Sequence, residues 1–282
     1  MINNRDYSSY SDLALERRKA DTNISGVSYI KEKGEYGEWE RLKIESIEGE
    51  RSIGRPRGIY DTLKIPEMNT LGEYEIGDAQ NEIAKDLCRV CRYLLTIPIR
   101  ILVVGLGNEE LAPDALGPLS AKEVKPTLHI SKCDSDLFDT LECSEIAVIC
   151  PNVKAHSGLE SLEIVKGVCK SISPDLVIAV DSLASTSPAR LGNTIQISST
   201  GIIPGTGLGN RQGAINEETL GVPVIAIGVP TIINSKCFAY SNENGEIGDA
   251  MFVAPKEINE IVKVASKIIG GAINQAFGIN TF

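Results

Sequence analysis

Histidine is nearly missing from this chain, with two in 282 residues, His129 and His156. That leaves little material for imidazole-based catalysis or metal binding. No window approaches the roughly 18 uninterrupted apolar residues that a membrane span needs, and the opening "MINNRDYSSYSDLALERRKA" has no apolar core of the kind a secretory signal carries. Basic residues are outnumbered: Lys and Arg total 28 against 38 Asp and Glu, a net charge of −10 that argues against a direct grip on nucleic acid. There is no G-x-x-x-x-G-K-[ST] loop and no G-x-S-x-G elbow, which disfavours a phosphate-cradling NTPase and an α/β-hydrolase. The seven cysteines are an odd number spread through apparent core segments, which fits reduced thiols in a cytosol-like compartment. Cys88 and Cys91 form a lone C-x-x-C inside a helical pattern with no second pair, so zinc is not indicated.

What is present is order along the chain. Residues 1–25 are polar and aperiodic and read as an extended or mobile leader. Residues 26–48 alternate β-branched or aromatic residues with charges and turn at Lys33-Gly34, which predicts a hairpin; "GRPRGIYDTLKI" adds a strand. From Asp78 the period changes, and Ile83, Leu87, Val90, Cys91 and Leu94 share one helical face. Four short, almost continuously apolar runs follow: 100–107, 145–151, 175–183 and 223–230. Such runs mark strands buried on both faces of a parallel sheet. The spacing predicts a helix over 157–172 capped by Ser157, a further strand at 193–198, and a long closing helix with Pro255 in its first turn. The fold class read from this alternation is α/β: a doubly wound, mostly parallel sheet with helices on both faces and a small β-rich subregion at 26–65.

In that architecture, chemistry gathers beyond the carboxyl ends of the strands. After the first run stand Gly107, Asn108 and Asp114; after the second, Asn152 and His156; after the third, Asp181; after the fourth, Gly228, Pro230 and Thr231. A second glycine-rich segment at 201–213 holds Gly207, Gly209, Asn210 and Arg211. Singly, Asp114 and Asp181 have ordinary explanations as turn or capping residues. Together, two carboxyls at the ends of two parallel strands could converge and split their proton affinities, one staying protonated while the other ionises, and so hydrolyse a peptide bond by general acid–base catalysis. Two alternatives stay open: a metal-dependent peptidase with His156 as third ligand, and a nucleotide-binding module in which Arg211 meets a phosphate.

The series "LVVGLGN", "PDALGP", "PDLVIAVDSLAS", "TIQIS", "GIIPGTGLGN", "ETLGVPVIAIGVPT" and "VAPKEI" resembles, in order and over nearly the whole chain, the germination proteases of spore-forming bacteria. The resemblance implies an atypical aspartic peptidase, similar in fold to hydrogenase maturation peptidases, with Asp114 and Asp181 as the catalytic acids and no required cofactor, a divalent metal staying an open alternative. It implies a cytoplasmic, forespore or spore-core enzyme that degrades small acid-soluble spore proteins, cuts after an acid and before a hydrophobe followed by Ala, and assembles as a homotetramer. It also implies a zymogen. "SDLA" carries that cleavage pattern within the leader, so residues 1–12 are read as a propeptide removed between Asp12 and Leu13, with 13–282 as one protease domain whose doubly wound core spans 78–282. Gly107, Asn108, Gly207, Gly209, Asn210 and Arg211 are read as substrate-binding, and Arg190, Arg211 and Lys154 as candidates for holding the substrate's acid. Against longer family members, the segment between Thr231 and Pro255 is short.

Overall fold

The computed structural model describes residues 11–18, 24–205, 213–237 and 251–278. Strands β1 (Val27–Lys33), β2 (Glu38–Ile44) and β3 (Gly58–Lys64) form an antiparallel meander, with helix α1 (Ile47–Ile53) between the second and third. Helix α2 (Glu73–Tyr93) leads to β4 (Arg100–Gly105), α3 (Leu116–Glu123), α4 (Leu128–Cys133), α5 (Ser135–Thr140) and β5 (Glu145–Ile149). Helices α6 (Lys154–Ser157) and α7 (Ser161–Ile172) precede β6 (Leu176–Ser185) and β7 (Thr194–Ser198). Then come α8 (Glu217–Leu220), β8 (Val224–Asn234), β9 (Phe252–Val253) and α9 (Ile258–Phe277).

The nine strands of the described residues belong to one mixed sheet of order β1-β2-β3-β7-β8-β6-β4-β5, with β9 on β8. Its centre, β8-β6-β4-β5, is parallel, and the apolar runs behave as expected there: Ile101 and Val103 face one core, Leu102 and Val104 the other. Helices α2, α3 and α9 cover the first face and α7 the second. The predicted β-rich subregion is not an appendage. Asp61 and Thr62 of β3 pair with Ile197 and Gln196 of β7, so the meander extends the central sheet antiparallel.

Four expectations are corrected. Ser157 does not cap α7: Gly158, at φ +74°, ends the one-turn α6, and Glu160 occupies the N-cap, its amide meeting Glu163. Strands β6 and β8 do not stop at Leu183 and Pro230 but run side by side to Ser185 and Ile233. The leader is packed, not mobile, over its described part. Leu13 and Ala14 have no exposed surface, and Ala14 and Leu15 join Leu42, Ile44, Ile53 and Tyr60 in a third cluster on the outer face of the meander. An apolar triplet gains more from burial than a free leader gains in entropy. Of the cysteines, all free, Cys91 and Cys169 are buried, whereas Cys88, Cys133 and Cys150 are exposed and not core.

Candidate active site

Asp114 is held in place by its backbone surroundings. Beyond β4 the chain turns through Gly107 at φ +107°, where a Cβ would lie 2.1 Å from the Asp114 carbonyl oxygen. No side chain fits between the turn and the one-turn 3₁₀ helix Ala112–Asp114. Asn108 donates its N–H to Asp114 Oδ2 (2.8 Å) and accepts from the Glu110 N–H through Oδ1 (2.9 Å). The Asp114 N–H donates to the Leu111 carbonyl (2.7 Å). Helix α3 then lies directly on the strand ends: a Cβ on Gly117 would sit 2.4 Å from Leu106 N and 2.5 Å from the Val180 oxygen. This close approach brings Asp114 to the residue after Val180, which is Asp181.

Asp181 lies within β6, opposite Gly228 of β8, and is buried. Its Oδ1 accepts from the Ser182 N–H at 2.8 Å. Burial pushes its proton affinity well above the usual carboxylate range, and the charge of Asp114 pushes it further. Asp114 is also raised, by burial, with the Asn108 N–H pulling the other way. The two acids, 67 positions apart in the chain (181 − 114), therefore sense each other at one sheet end and differ in environment.

The leader enters the same place. The Asp12 N–H donates to the Ala184 carbonyl (2.9 Å), and the Ala184 N–H donates back to Asp12 Oδ2 (2.9 Å). Ala184 sits where β6 and β8 shift register by one residue, Leu183 facing Pro230 and Ala184 facing Ile232. The Ala14 N–H donates to Gln196 Oε1 at 3.1 Å. Glu16 accepts from the Thr186 N–H and hydroxyl, each at 2.7 Å. Arg55 Nη2 donates to the Ser11 carbonyl (2.9 Å) and lies 3.8 Å from Asp12 Oδ1. The Asp12 charge contributes to the raised proton affinity of Asp181.

The remaining candidates separate. Gly107 and Asn108 contact Asp114 itself. Gly207, Gly209, Asn210 and Arg211 lie outside the described residues. Arg190 pairs with Glu40 (2.6 Å) and Lys154 with Glu160 (2.5 Å). His156 is exposed on α6, and among the described residues no three His, Cys, Asp or Glu side chains assemble as a ligand set, so it does not join the two aspartates. Arg55, Gln196 and Ala184 were not legible as site residues. The signal was faint: a cation in "GRPRG" between a turn and a strand, and one amide in the apolar "TIQIS".

Residues 4–242 match the family model described as germination protease. The chain is 34% identical over 323 aligned positions to a germination protease of Clostridium perfringens, covering 97% of this chain and 96% of that one. It is 42% identical to that of Caldanaerobacter subterraneus over 82% of this chain and 71% of the relative. It is 39% identical to that of Priestia megaterium, over 79% and 61%. Among solved structures, a [NiFe] hydrogenase maturation protease, HycI, from Thermococcus kodakarensis is similar with a TM-score of 0.38 at 19% identity, over 66% of this chain and 99% of that one.

Proposed function

The chain belongs to the germination protease family and is a peptidase acting on protein substrates, and from that premise we propose that Asp114 and Asp181 carry out the hydrolysis as a carboxyl pair. The observation that carries this reading is the asymmetry between two neighbouring acids: Asp181 holds its proton more tightly because it is buried, and the charge of Asp114 adds to that. Asp114, anchored by the Asn108 N–H, is the base. It takes a proton from water as the water oxygen bonds to the substrate carbonyl carbon. Asp181, the acid, polarises that carbonyl and gives its proton to the departing amine nitrogen as the C–N bond breaks. A proton passing from Asp114 to Asp181 resets the pair.

The proposed substrates are small acid-soluble spore proteins, cut after an acidic residue and before a hydrophobe followed by Ala, in the cytoplasm of the forespore or spore core, by a homotetramer. The leader sequence Asp12-Leu13-Ala14 follows the same pattern, and its seat on Ala184 and Gln196 supports self-processing between Asp12 and Leu13. Asp114→Asn and Asp181→Asn are each expected to lose roughly 10²–10⁴-fold in peptide turnover while keeping wild-type circular dichroism. Near-normal turnover in either folded variant would remove the pair from the mechanism.

A further inference from the structure

We propose that Arg55, with the Ala184 amide, is the receptor for the acidic side chain on the N-terminal side of the cleaved bond, and that Asp12 of the leader occupies it as a built-in stand-in for substrate. The inference rests on the cleavage pattern proposed above and adds the residues that enforce it. The Asp12 carboxylate receives the Ala184 N–H on Oδ2 and faces the Arg55 guanidinium with Oδ1. Arg55 simultaneously fixes the main chain one residue earlier, through the Ser11 carbonyl, so side-chain charge and chain register are read by one group. Its side chain is only 17% exposed, and its Nε–H is buried without a hydrogen-bond partner among the described residues. A planar, permanently charged fork with an unfilled donor is built to take a carboxylate.

Position supports the same reading. Arg55 and Asp12 line a cavity that continues past Leu183 and Gln196 to Gly228, the residue paired with Asp181. The receptor therefore opens along the wall that holds the buried catalytic acid. Gln196, which binds the Ala14 amide two residues beyond Asp12, marks the other side of the scissile bond. The pairing of β4 with β6 ends at Gly105 and Val180, whereas β6 runs on to Ser185, and in that extension Ala184 offers both its N–H and its C=O to the leader.

The test uses processed enzyme and two peptides that differ only in Glu or Gln before the scissile bond. Wild type is expected to favour the Glu peptide in kcat/KM by roughly tenfold to a hundredfold, the range of a hydrogen-bonded charge. Arg55→Gln is expected to bring that ratio close to one, and Arg55→Lys to restore part of it. A wild type that treats the peptides alike overturns the acid preference itself. A wild type that discriminates, beside a folded Arg55→Gln enzyme with the ratio intact, overturns the role of Arg55 alone. A purely structural Arg55 would lower both peptides together and leave the ratio unchanged. An independent arm keeps Arg55: Asp12→Asn preserves an acceptor for the Ala184 N–H but removes the charge. Self-processing of that variant is expected to slow roughly tenfold or more; conversion at the wild-type rate would overturn the proposal.

Discussion

At the scale of single residues, the proton balance of the two aspartates links activity to stability. Both carboxyls have folded-state affinities above the usual value, so the folded protein binds their protons more tightly than the unfolded chain. Their favourable contribution is fully present below about pH 4, the unfolded value, and is lost as pH rises through the folded values. Asp181→Asn removes the proton uptake that folding demands at this site above pH 4, while its side-chain oxygen still accepts from Ser182. At pH 7 this variant is expected to melt above the wild type, by about 2–4 °C for each kcal/mol recovered. The difference should shrink to nothing as pH falls toward 4. Calorimetry across pH checks it; a variant that melts lower at pH 7 and equal at pH 4 would reverse the sign. Activity should run the other way, falling at high pH as Asp181 loses its proton and at low pH as Asp114 gains one.

At the scale of elements, the sheet is tied to α2 by buried polar contacts that no hydrophobic pattern announces. Glu82, on a helix whose apolar stripe was plain, accepts from Trp39 Nε1 (2.6 Å), the Glu35 N–H (3.2 Å) and the Tyr36 N–H (3.4 Å), and so caps the β1–β2 turn. Nearby, Asp61 of β3 and Asp86 of α2 share Arg41 of β2 and Arg89 of α2, with Asp86 pushed up to about 6 by burial despite the guanidinium of Arg41. Glu82→Ala would leave the buried Trp39 N–H unpartnered, at a cost of about 1–3 kcal/mol beyond the lost bonds. Glu82→Gln keeps an acceptor and should cost less. Trp39 is the single tryptophan, so its emission reports the site directly in a urea titration. An unshifted midpoint for Glu82→Ala would show that the turn holds without it. Element boundaries were less legible than element types. Apolar runs gave the strands, but β6 and β8 lengthen past Leu183 and Pro230 because each supplies the other's ladder, and Gly158 ends a separate turn that parts Ser157 from the helix it was expected to cap.

At the scale of the whole molecule, the leader lies across its own chain's cleft. Leu13 and Ala14 are fully buried, and Glu16 is bonded to Thr186. Another molecule's cleft cannot reach that bond without first pulling the segment out. Conversion is therefore expected to be first-order, with a half-time unchanged over a hundredfold dilution, and to yield a chain beginning at Leu13. Mass spectrometry against time at several concentrations checks both; a half-time that lengthens on dilution would place cleavage between molecules.

The sequence by itself determined the class of fold, because apolar runs of strand length and helical stripes report burial through local periodicity. It also offered Asp114 and Asp181 as candidate acids, because so few chemically active groups stand beyond those runs. Only the tertiary structure decided that the meander joins the central sheet, that the leader packs inside, and that Arg55 rather than Arg190 or Lys154 meets Asp12. Those outcomes depend on which distant segments meet. Arg190 and Lys154 were equally plausible cations until folding gave each its own glutamate, and pairing of that kind leaves no trace in the spacing along a chain.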